Sequence, residues 1–366
     1  MQKNQIMISY GDQSKKMVKE LLKEIKVETG LRQNDLIALK PNLINPTKSS
    51  QGATTDPEIV AGCIEYFRER GFNNLMIIEG SWVGADTERA FEVCGYKELS
   101  QKYDIPLYNL KKDNFIKKSY QQLEIEIAEK ALEADYLINF PVLKGHCQTR
   151  ITCALKNLKG CISDSEKRKF HRHGLHRPIA YLNKLLKQDL IIVDGIYGDL
   201  DFEEGGNPVK MNRIIAAQDP VLVDAYAANL MGYSIRDIEY IEIADQIGVG
   251  SKDLSSSEII ELNQDRETDI TYSSGKIKKL TAKVKAKKAC SACYGNLIHA
   301  LKRIEETGQL DKIAGFIKIG QGYQGEKLFG IGIGSCCSGA DGFVKGCPPS
   351  ARDTLDFLAE NYNIRV

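Results

Sequence analysis

The sequence predicts an α/β protein with a mostly parallel sheet covered by helices and a smaller C-terminal α/β domain. Short apolar runs alternate with amphipathic stretches through residues 1–262, which is the rhythm of strand and helix in a parallel sheet. A polar stretch at 263–276 is typical of a linker, and a shorter alternation fills residues 278–366, where five of the ten cysteines lie. We therefore expect a larger domain at 1–262 and a cysteine-rich domain at 278–366.

Apolar runs predict the strands of the larger domain, and each run ends in a polar or turn-forming residue. The predicted strands are 36–39, 75–78, 136–140, 190–193 and 214–217. The predicted helices are 57–70, 85–93, 152–159, 178–187 and 220–231. The first helix has the clearest start, because Asp56 can cap it and Pro57 follows in the first turn.

The C-terminal domain begins with a stretch of period two, in which Leu280, Ala282, Val284 and Ala286 alternate with polar residues. This pattern predicts a strand with one lysine-rich face. We expect that face to be either a solvated surface or a docking face for an acidic electron-transfer protein. The remaining predicted elements are helices at 294–306 and 350–361 and strands at 316–319 and 328–331.

The cysteines of this domain have the composition of a metal centre. Cys290 and Cys293 form a C-x-x-C pair, Cys336 and Cys337 are adjacent between glycines, and Cys347 precedes two prolines. A cubane cluster needs four thiolates, so we expect a 4Fe-4S cluster bound by Cys290, Cys293, Cys347 and one of the tandem cysteines. Structural zinc, a redox dithiol and inert buried cysteines remain open as alternatives.

Polar side chains follow the predicted strands of the larger domain, where open α/β sheets bind their ligands. Lys144 and His146 are expected to polarise a substrate and to transfer a proton, because histidine titrates near neutral pH. Polar caps of strand ends would explain any one of these residues equally well. The side chains expected to bind the substrate are Lys40, Asn42, Glu79, Lys156, Asn157 and Asp194, among which the two lysines would anchor an anionic group.

A histidine-rich segment lies in the middle of the chain. His171, His173 and His176 alternate with arginines, which is typical of a metal site, of an anion-binding loop or of a mobile basic loop. The sequence leaves these three interpretations open.

Five segments of the larger domain form a recognisable set of motifs. They are Lys40-Pro41-Asn42-Leu43, Asn139-Phe140-Pro141-Val142-Leu143-Lys144-Gly145-His146, Ala154-Leu155-Lys156-Asn157-Leu158-Lys159-Gly160, Ile192-Val193-Asp194-Gly195 and Asp219-Pro220-Val221-Leu222-Val223-Asp224-Ala225. Through these segments the chain resembles the domain of unknown function 362 family over roughly residues 34–245. Members of that family often carry iron–sulfur modules, so the resemblance implies such a module in this chain. The usual module is a ferredoxin-like C-x-x-C-x-x-C-x-x-x-C-P run, whereas the cysteines here are spread over residues 290–347.

Taken together, these features predict an iron–sulfur oxidoreductase, with electrons passing between the C-terminal cluster and a small anionic substrate at the strand ends. A flavin is expected in addition if single electrons must be converted to a two-electron step. Two other functions remain open: a ferredoxin-like electron carrier without its own catalytic site, and a metal-dependent isomerase or hydrolase in which the cluster is structural.

Bulk composition narrows the partners and the compartment. A net charge of +1 gives no reason to expect nucleic acid as a partner. The N-terminal residues contain no apolar run, and no stretch reaches the length of about 18 apolar residues that a bilayer requires, so we expect neither a signal peptide nor a membrane anchor. We expect a cytoplasmic protein with reduced thiols, and cluster chemistry suggests an anaerobic source.

Overall fold

The computed structural model describes residues 1–200, 203–206, 208–263 and 279–365, and within these it leaves out the side chains of His173, Ser291 and Ala292. The chain divides into two compact units. The large unit comprises Met1–Arg168 and His176–Tyr272, and the C-terminal unit comprises Lys169–Leu175 and Ser273–Val366. The polar stretch expected as a linker lies almost entirely outside the described residues.

The helices and strands before residue 264 follow one another in short alternation. They are β1 (Gln5–Tyr10), α1 (Ser14–Ile25), β2 (Ile37–Pro41), α2 (Pro57–Arg68), β3 (Leu75–Glu79), α3 (Thr87–Val93), α4 (Tyr96–Tyr103), β4 (Leu107–Asn109), β5 (Phe115–Tyr120), β6 (Leu123–Ala128), α5 (Glu129–Glu133), β7 (Tyr136–Phe140), β8 (Lys144–His146), β9 (Arg150–Thr152), α6 (Ala154–Asn157), α7 (Asp164–His173), α8 (His176–Leu185), β10 (Leu190–Asp199), β11 (Pro208–Ala217), α9 (Pro220–Leu230), α10 (Glu239–Gln246) and β12 (Glu258–Glu261).

Eight of these strands form one sheet in the order β12-β1-β11-β10-β7-β2-β3-β4. Five of its seven neighbouring pairs are parallel, and β11 runs antiparallel to both β1 and β10. The central strands β2 and β3 are buried along their whole length, as expected for strands covered by helices on both faces. The predicted fold class, a mostly parallel sheet covered by helices, is confirmed.

Aspartate–proline pairs start two of the covering helices. The Asp56 side chain accepts a hydrogen bond from the backbone N–H of Glu58 at the start of α2. Asp219 does the same for Val221 and Leu222 at the start of α9. In both cases proline occupies the first helical position, where its missing N–H costs no hydrogen bond.

The strands predicted at 190–193 and 214–217 are only the buried halves of longer strands. In the structure β10 and β11 form an antiparallel hairpin that continues to the pair Asp199 and Pro208. The β11 part of the extension mixes polar and apolar residues and is partly exposed, and the β10 part contains two glycines and ends at a buried aspartate, so no continuous apolar run marks either part. The extension places Glu203, which lies between the two strands, next to His146 of β8.

The C-terminal unit contains a four-stranded parallel sheet in the order β13-β14-β15-β16. The strand expected to begin at Leu280 is shorter than predicted, because Leu280 is buried within a helical turn and pairing begins at Val284. The elements are β13 (Val284–Ala286), α11 (Ser291–Glu306), β14 (Ile317–Ile319), β15 (Leu328–Ile333), β16 (Ala340–Val344) and α12 (Ala351–Asn361). The smaller α/β unit predicted for this part of the chain is therefore present.

Candidate functional site

A row of buried amide side chains runs through the large unit at the carboxyl ends of β2 and β7. The row starts at Lys144, whose Nζ donates to Oδ1 of Asn42 at 3.1 Å. Asn42 Nδ2 donates to Asn157 Oδ1 at 2.7 Å, and Asn157 Nδ2 donates to Asn139 Oδ1, also at 2.7 Å. Three residues that are distant in sequence are therefore joined in one hydrogen-bonded line.

The row continues in the same direction into α8. Asn139 Nδ2 donates to Gln188 Oε1 at 2.6 Å, and Gln188 Nε2 donates to Asn183 Oδ1 at 2.7 Å. Asn183 ends the row by donating to the backbone carbonyls of Leu155 and Ile179. All five amides are buried. Each donates its N–H to the oxygen of the next amide, so every hydrogen bond in the row points the same way, from Lys144 towards Asn183.

Lys144 and Lys156 are buried ammonium groups whose described partners are neutral oxygens. Lys144 donates to Asn42 Oδ1 and to the carbonyl of Ala53, and Lys156 donates to Thr152 Oγ1 at 3.2 Å. In the described part of the chain, neither ammonium forms an ion pair with a carboxylate. Burial lowers the pKa of Lys144 to about 7, with a further contribution from Lys156, and burial lowers the pKa of Lys156 to about 8.

A third buried lysine lies near these two. Burial lowers the pKa of Lys159 well below its ordinary value, and the nearby charge of Lys156 lowers it further. The charged form of a buried lysine is costly unless a counter-charge is close, because leaving water is unfavourable. An anion bound beside these lysines would stabilise their charged forms.

The other predicted site residues lie at the same sheet edge but have structural partners. Lys40 Nζ lies 2.8 Å from Glu79 Oε2, and both side chains are buried. Glu79 also accepts backbone N–H groups from Leu43 and Gly80. Asp194 accepts the backbone N–H groups of Asp56 and Ile196, and burial raises its pKa to about 7. These side chains hold the strand ends in place.

His146 forms a hydrogen-bonded pair with Glu203, which belongs to the loop of the long hairpin. Nδ1 of His146 accepts the backbone N–H groups of Gln148 and Thr149, each at 3.1 Å. Because Nδ1 acts as an acceptor, the hydrogen-bond network assigns the ring proton to Nε2. Nε2 lies 3.3 Å from Glu203 Oε1, so the neutral imidazole donates to the carboxylate. This arrangement suits proton transfer.

The ligand atoms of His146, Cys147 and Glu203 lie within 4.8 Å of one another, a spacing that also suits a metal ion. However, a metal-binding histidine normally donates its second ring N–H to an acceptor, whereas Nδ1 of His146 faces two donors. Burial and the charge of Glu203 also raise the pKa of the Cys147 thiol, which opposes formation of a thiolate. The Glu203 carboxylate further interacts with Lys144 and Lys156. His146 and Glu203 are therefore better suited to acid–base chemistry beside Lys144 and Lys156 than to binding a metal ion together with Cys147.

The second candidate site lies at the carboxyl end of the C-terminal sheet. Cys290 follows β13 and caps α11, the tandem cysteines follow β15, and Cys347 follows β16. The backbone N–H of Ser335 donates to the carbonyl of Gly346 at 2.9 Å, which ties the residue before Cys336 to the residue before Cys347. Parallel strands thus bring cysteines that are far apart in sequence to one edge.

Electrostatic interactions indicate that these thiols lie close together. Burial raises the pKa of Cys293 to about 12, and the neighbouring thiols of Cys290, Cys347, Cys336 and Cys337 contribute to the same shift. Burial also raises the pKa of Cys336, with contributions from Cys290 and Cys347. Because the pKa values of Cys293 and Cys336 are raised, binding of a metal or cluster would favour the thiolate form of these two groups.

Four thiolates can bind either a structural zinc ion or a cubane iron–sulfur cluster. The tail of this chain offers five cysteines near one sheet edge, which is enough for either group.

Glycine lets the backbone approach the cysteines closely at one point. Gly334 has a φ of +84°, and a Cβ at this position would lie 3.5 Å from Sγ of Cys293 and 3.5 Å from the carbonyl oxygen of Gly346. A side chain there would be strained and would crowd the space between the cysteines. The donor set and this cradle both fit a four-thiolate cluster.

The two tandem cysteines have different surroundings. Cys337 is fully buried, and its Sγ donates to the backbone carbonyl of Lys318 at 3.5 Å. Its Cβ packs against Gly332, where an added Cβ would come within 2.6 Å. Cys336 is partly exposed, and its thiol interacts with those of Cys290 and Cys347. The Cys337 thiol interacts with those of Cys293 and Cys336, but its hydrogen bond to the Lys318 carbonyl holds it on the buried side of the turn. Cys336 is therefore the better-placed ligand of the two.

The structure does not test the alternative metal site in the histidine-rich segment. The His173 side chain lies outside the described residues. The ring of His176 stacks on Tyr240 with a centroid distance of 6.1 Å, and burial lowers its pKa. His176 is thus a packed histidine of the large unit, and a site formed by His171, His173 and His176 stays a prediction.

The fold and the two sites define an α/β protein with a cysteine-rich C-terminal unit. Residues 37–229 match the model of a family described as "Domain of unknown function (DUF362)", which spans just over half of the chain. The chain belongs to this family, as its sequence motifs indicated.

One curated relative and one solved structure give further comparisons. The thylakoid-associated protein sll1697 of Synechocystis sp. is 25% identical over 230 residues, which cover 60% of this chain and 70% of that protein. The lactate racemase apoprotein from Thermoanaerobacterium thermosaccharolyticum superposes with a TM-score of 0.41 and 13% identity, over 62% of this chain. The match covers 57% of the racemase chain.

Proposed function

We propose that this protein is an iron–sulfur oxidoreductase whose C-terminal unit holds a 4Fe-4S cluster and whose large unit binds a small anion. The supporting observation is the gathering of cysteine thiols from three strand ends at one edge of the C-terminal sheet. The proposed ligands are Cys290, Cys293, Cys336 and Cys347. When bound, such a cluster gives or accepts single electrons.

In the large unit, Lys144 and Lys156 are proposed to bind the anion, because they are buried cations with neutral described partners. Lys40 and Glu79 support this edge as an ion pair. His146 holds a proton on Nε2 and Glu203 accepts its hydrogen bond, so this pair can give a proton to the anion or take one from it. A flavin would be needed in addition if the substrate reacts by a two-electron step.

Anaerobic purification tests the cluster directly. We expect about four iron and four sulfide per chain and a broad visible absorption band that dithionite bleaches. Cys336→Ser should lose most of this band. Cys337→Ser should keep it, because a serine hydroxyl can still donate to the Lys318 carbonyl. A colourless, iron-poor wild-type protein would overturn the proposal, and a band that survives in Cys336→Ser but not in Cys337→Ser would overturn the ligand assignment.

A cytoplasmic location is part of the proposal, because a partly exposed set of free thiols requires a reducing compartment. Among the described residues, no helix has both the length and the apolar character needed to cross a membrane. The relative sll1697 is named for an association with thylakoids. Cell fractionation would distinguish a cytoplasmic protein from one held at a membrane surface.

A further inference from the structure

One face of the C-terminal sheet carries paired lysines. Lys285 on β13 lies beside Lys318 on β14, and Lys318 lies beside Gly332 on β15. The flanking residues Ile317 and Ile319 are buried, so they point to the opposite face. The two lysines therefore share one face of the sheet, which we call the lysine face.

The helices cover the other face. An added Cβ at Gly342 would lie 3.6 Å from the ring of Phe357 on α12. Gly342 pairs with Ile331, which precedes Gly332 in β15. Because successive residues of a strand point to opposite faces, Ile331 and Gly342 lie on the helix side and Gly332 lies on the lysine face.

Two aromatic side chains are exposed next to these lysines. Phe329 is 78% exposed and Phe316 is 48% exposed, which is unusual for phenylalanine in a folded monomer. Lys285 Nζ lies 4.1 Å from the centroid of the Phe316 ring, and Lys318 donates to the backbone carbonyl of Phe329. Exposed aromatic residues beside cations are typical of protein interfaces.

The charge of the lysine face is positive. Glu326 is paired with Lys287, and Asp341, which accepts the backbone N–H of Gly330, keeps one negative charge against the two positive charges of Lys285 and Lys318. Within the portion of the chain that the structure describes, Lys285 and Lys318 form no ion pair with a carboxylate. A surface with uncompensated ammonium groups attracts an acidic partner and steers its approach.

The lysine face borders the cysteine site. Cys337 packs on Gly332 and donates to the carbonyl of Lys318, so the tandem-cysteine turn folds over the edge of this same face. Its neighbour Cys336 is one of the proposed ligands. A partner bound at the lysine face would therefore sit next to the proposed cluster.

We propose that the lysine face is the docking surface for an acidic, single-electron carrier protein, with Phe316 and Phe329 at its apolar centre. This inference rests on the proposed iron–sulfur function. In the exchange, one electron leaves the reduced carrier, which is oxidised, and is accepted at the C-terminal site, which is reduced.

The test uses the full-length, cluster-loaded protein and a reduced acidic ferredoxin as the probe. Stopped-flow absorbance gives the rate of reduction at low and high ionic strength. We expect the double variant Lys285→Glu/Lys318→Glu to be reduced at least about tenfold more slowly at low ionic strength, and to lose the salt dependence that the wild type shows. Phe329→Ala should also slow reduction while leaving the salt dependence intact.

Two controls make the result specific. Dithionite is small and needs no docking surface, so it should reduce all variants at the wild-type rate. The double variant Arg303→Glu/Arg352→Glu makes the same change of charge on α11 and α12, and should keep the wild-type ferredoxin rate. An unchanged ferredoxin rate in Lys285→Glu/Lys318→Glu, or an equal loss in the helix variant, would overturn the docking surface alone. A wild-type protein without a dithionite-reducible band would overturn the proposed function as well.

Discussion

The side-chain amide of Gln321 donates a hydrogen bond of 3.1 Å to Sγ of Cys290. Hydrogen bonds to ligand sulfur atoms stabilise the more negative, reduced state of an iron–sulfur cluster and so raise its reduction potential. Gln321→Leu removes the donor while keeping a similar size. We expect the reduction potential to fall by an amount on the order of tens of millivolts, measured by a redox titration followed with absorbance.

The matched control for this change is Gln324→Leu. Gln324 lies in the same turn and is exposed, so its substitution should leave the potential unchanged. Iron content should be equal in both variants. Equal potentials in Gln321→Leu and the wild type would show that this hydrogen bond does not tune the site.

The buried lysines predict pH-dependent binding of an anion. Lys144 and Lys156 have pKa values lowered to about 7 and about 8, and only their protonated forms attract an anion. Sulfate keeps a constant charge between about pH 6 and 9, a range in which both lysines lose their protons. Sulfate affinity measured by calorimetry should therefore fall as the pH rises through this range.

A single substitution should weaken that binding. Lys156→Met keeps the apolar stem but removes the ammonium, and we expect a loss of about tenfold in sulfate affinity at low pH. Lys112→Met, at an exposed lysine, is the control and should bind as the wild type does. Binding that is independent of pH in the wild type would contradict the anion site.

The ion pair between Lys40 and Glu79 predicts a large loss of stability when one partner is removed. Glu79→Gln leaves the Lys40 ammonium buried without its counter-charge, which costs about 3–5 kcal/mol of unfolding free energy. Urea unfolding followed by the fluorescence of Trp82, the single tryptophan, measures this loss. Glu88→Gln breaks an exposed pair with Lys112 and should cost less than about 1 kcal/mol.

A second variant checks the cause. Lys40→Met combined with Glu79→Gln removes the unpaired charge, so the double variant should be more stable than Glu79→Gln alone. If the double variant is less stable than Glu79→Gln, the loss arises from packing or from the backbone contacts of Glu79.

The amide row predicts coupling between distant residues. Asn139→Leu removes its middle member and leaves Asn157 Nδ2 and Gln188 Oε1 without their hydrogen-bond partners. We expect a loss of about 2–4 kcal/mol in unfolding free energy, since each unsatisfied buried group costs about 1–3 kcal/mol. Sulfate affinity should fall too, because the row orients the oxygen that Lys144 contacts. Unchanged sulfate affinity in a folded Asn139→Leu protein would show that the row is only structural.

The sequence predicted the ends of β2 and β3 well because buried parallel strands are continuous apolar runs. Lys40, Asn42 and Glu79 lie at these ends, at one edge of the sheet. Asp194 was expected at a strand end but lies within β10, which continues to Asp199. The pairing of Lys40 with Glu79 could not be predicted in the same way, since it depends on the register between β2 and β3.

Glu203 was not among the predicted site residues. It lies in a loop whose position depends on the extension of β10 and β11, and the continuous apolar runs of both strands end before that extension begins. Asn183 and Gln188 were missed for a related reason, because an amide in or after a helix is usually solvated and only its burial reveals its partners. The acidic composition of residues 199–204 was the available signal for Glu203.

The choice between Cys336 and Cys337 also lay beyond the sequence. Adjacent residues in a turn point in different directions, and the direction of Cys337 is fixed by its contact with Gly332 and with the Lys318 carbonyl. The Lys318 carbonyl is 19 residues away in sequence, so the sequence around the two cysteines does not distinguish them as ligands.

The fixed direction of the amide row has one more consequence. Turning a single amide around would set two oxygens or two N–H groups against each other, so the members can reverse only all together. A positive group at Lys144 opposes that reversal at one end, and the carbonyls of Leu155 and Ile179 oppose it at the other. Deprotonation of Lys144 would remove the positive charge that opposes reversal at that end. The five amide side chains could then reverse together, as far as Asn183 in α8.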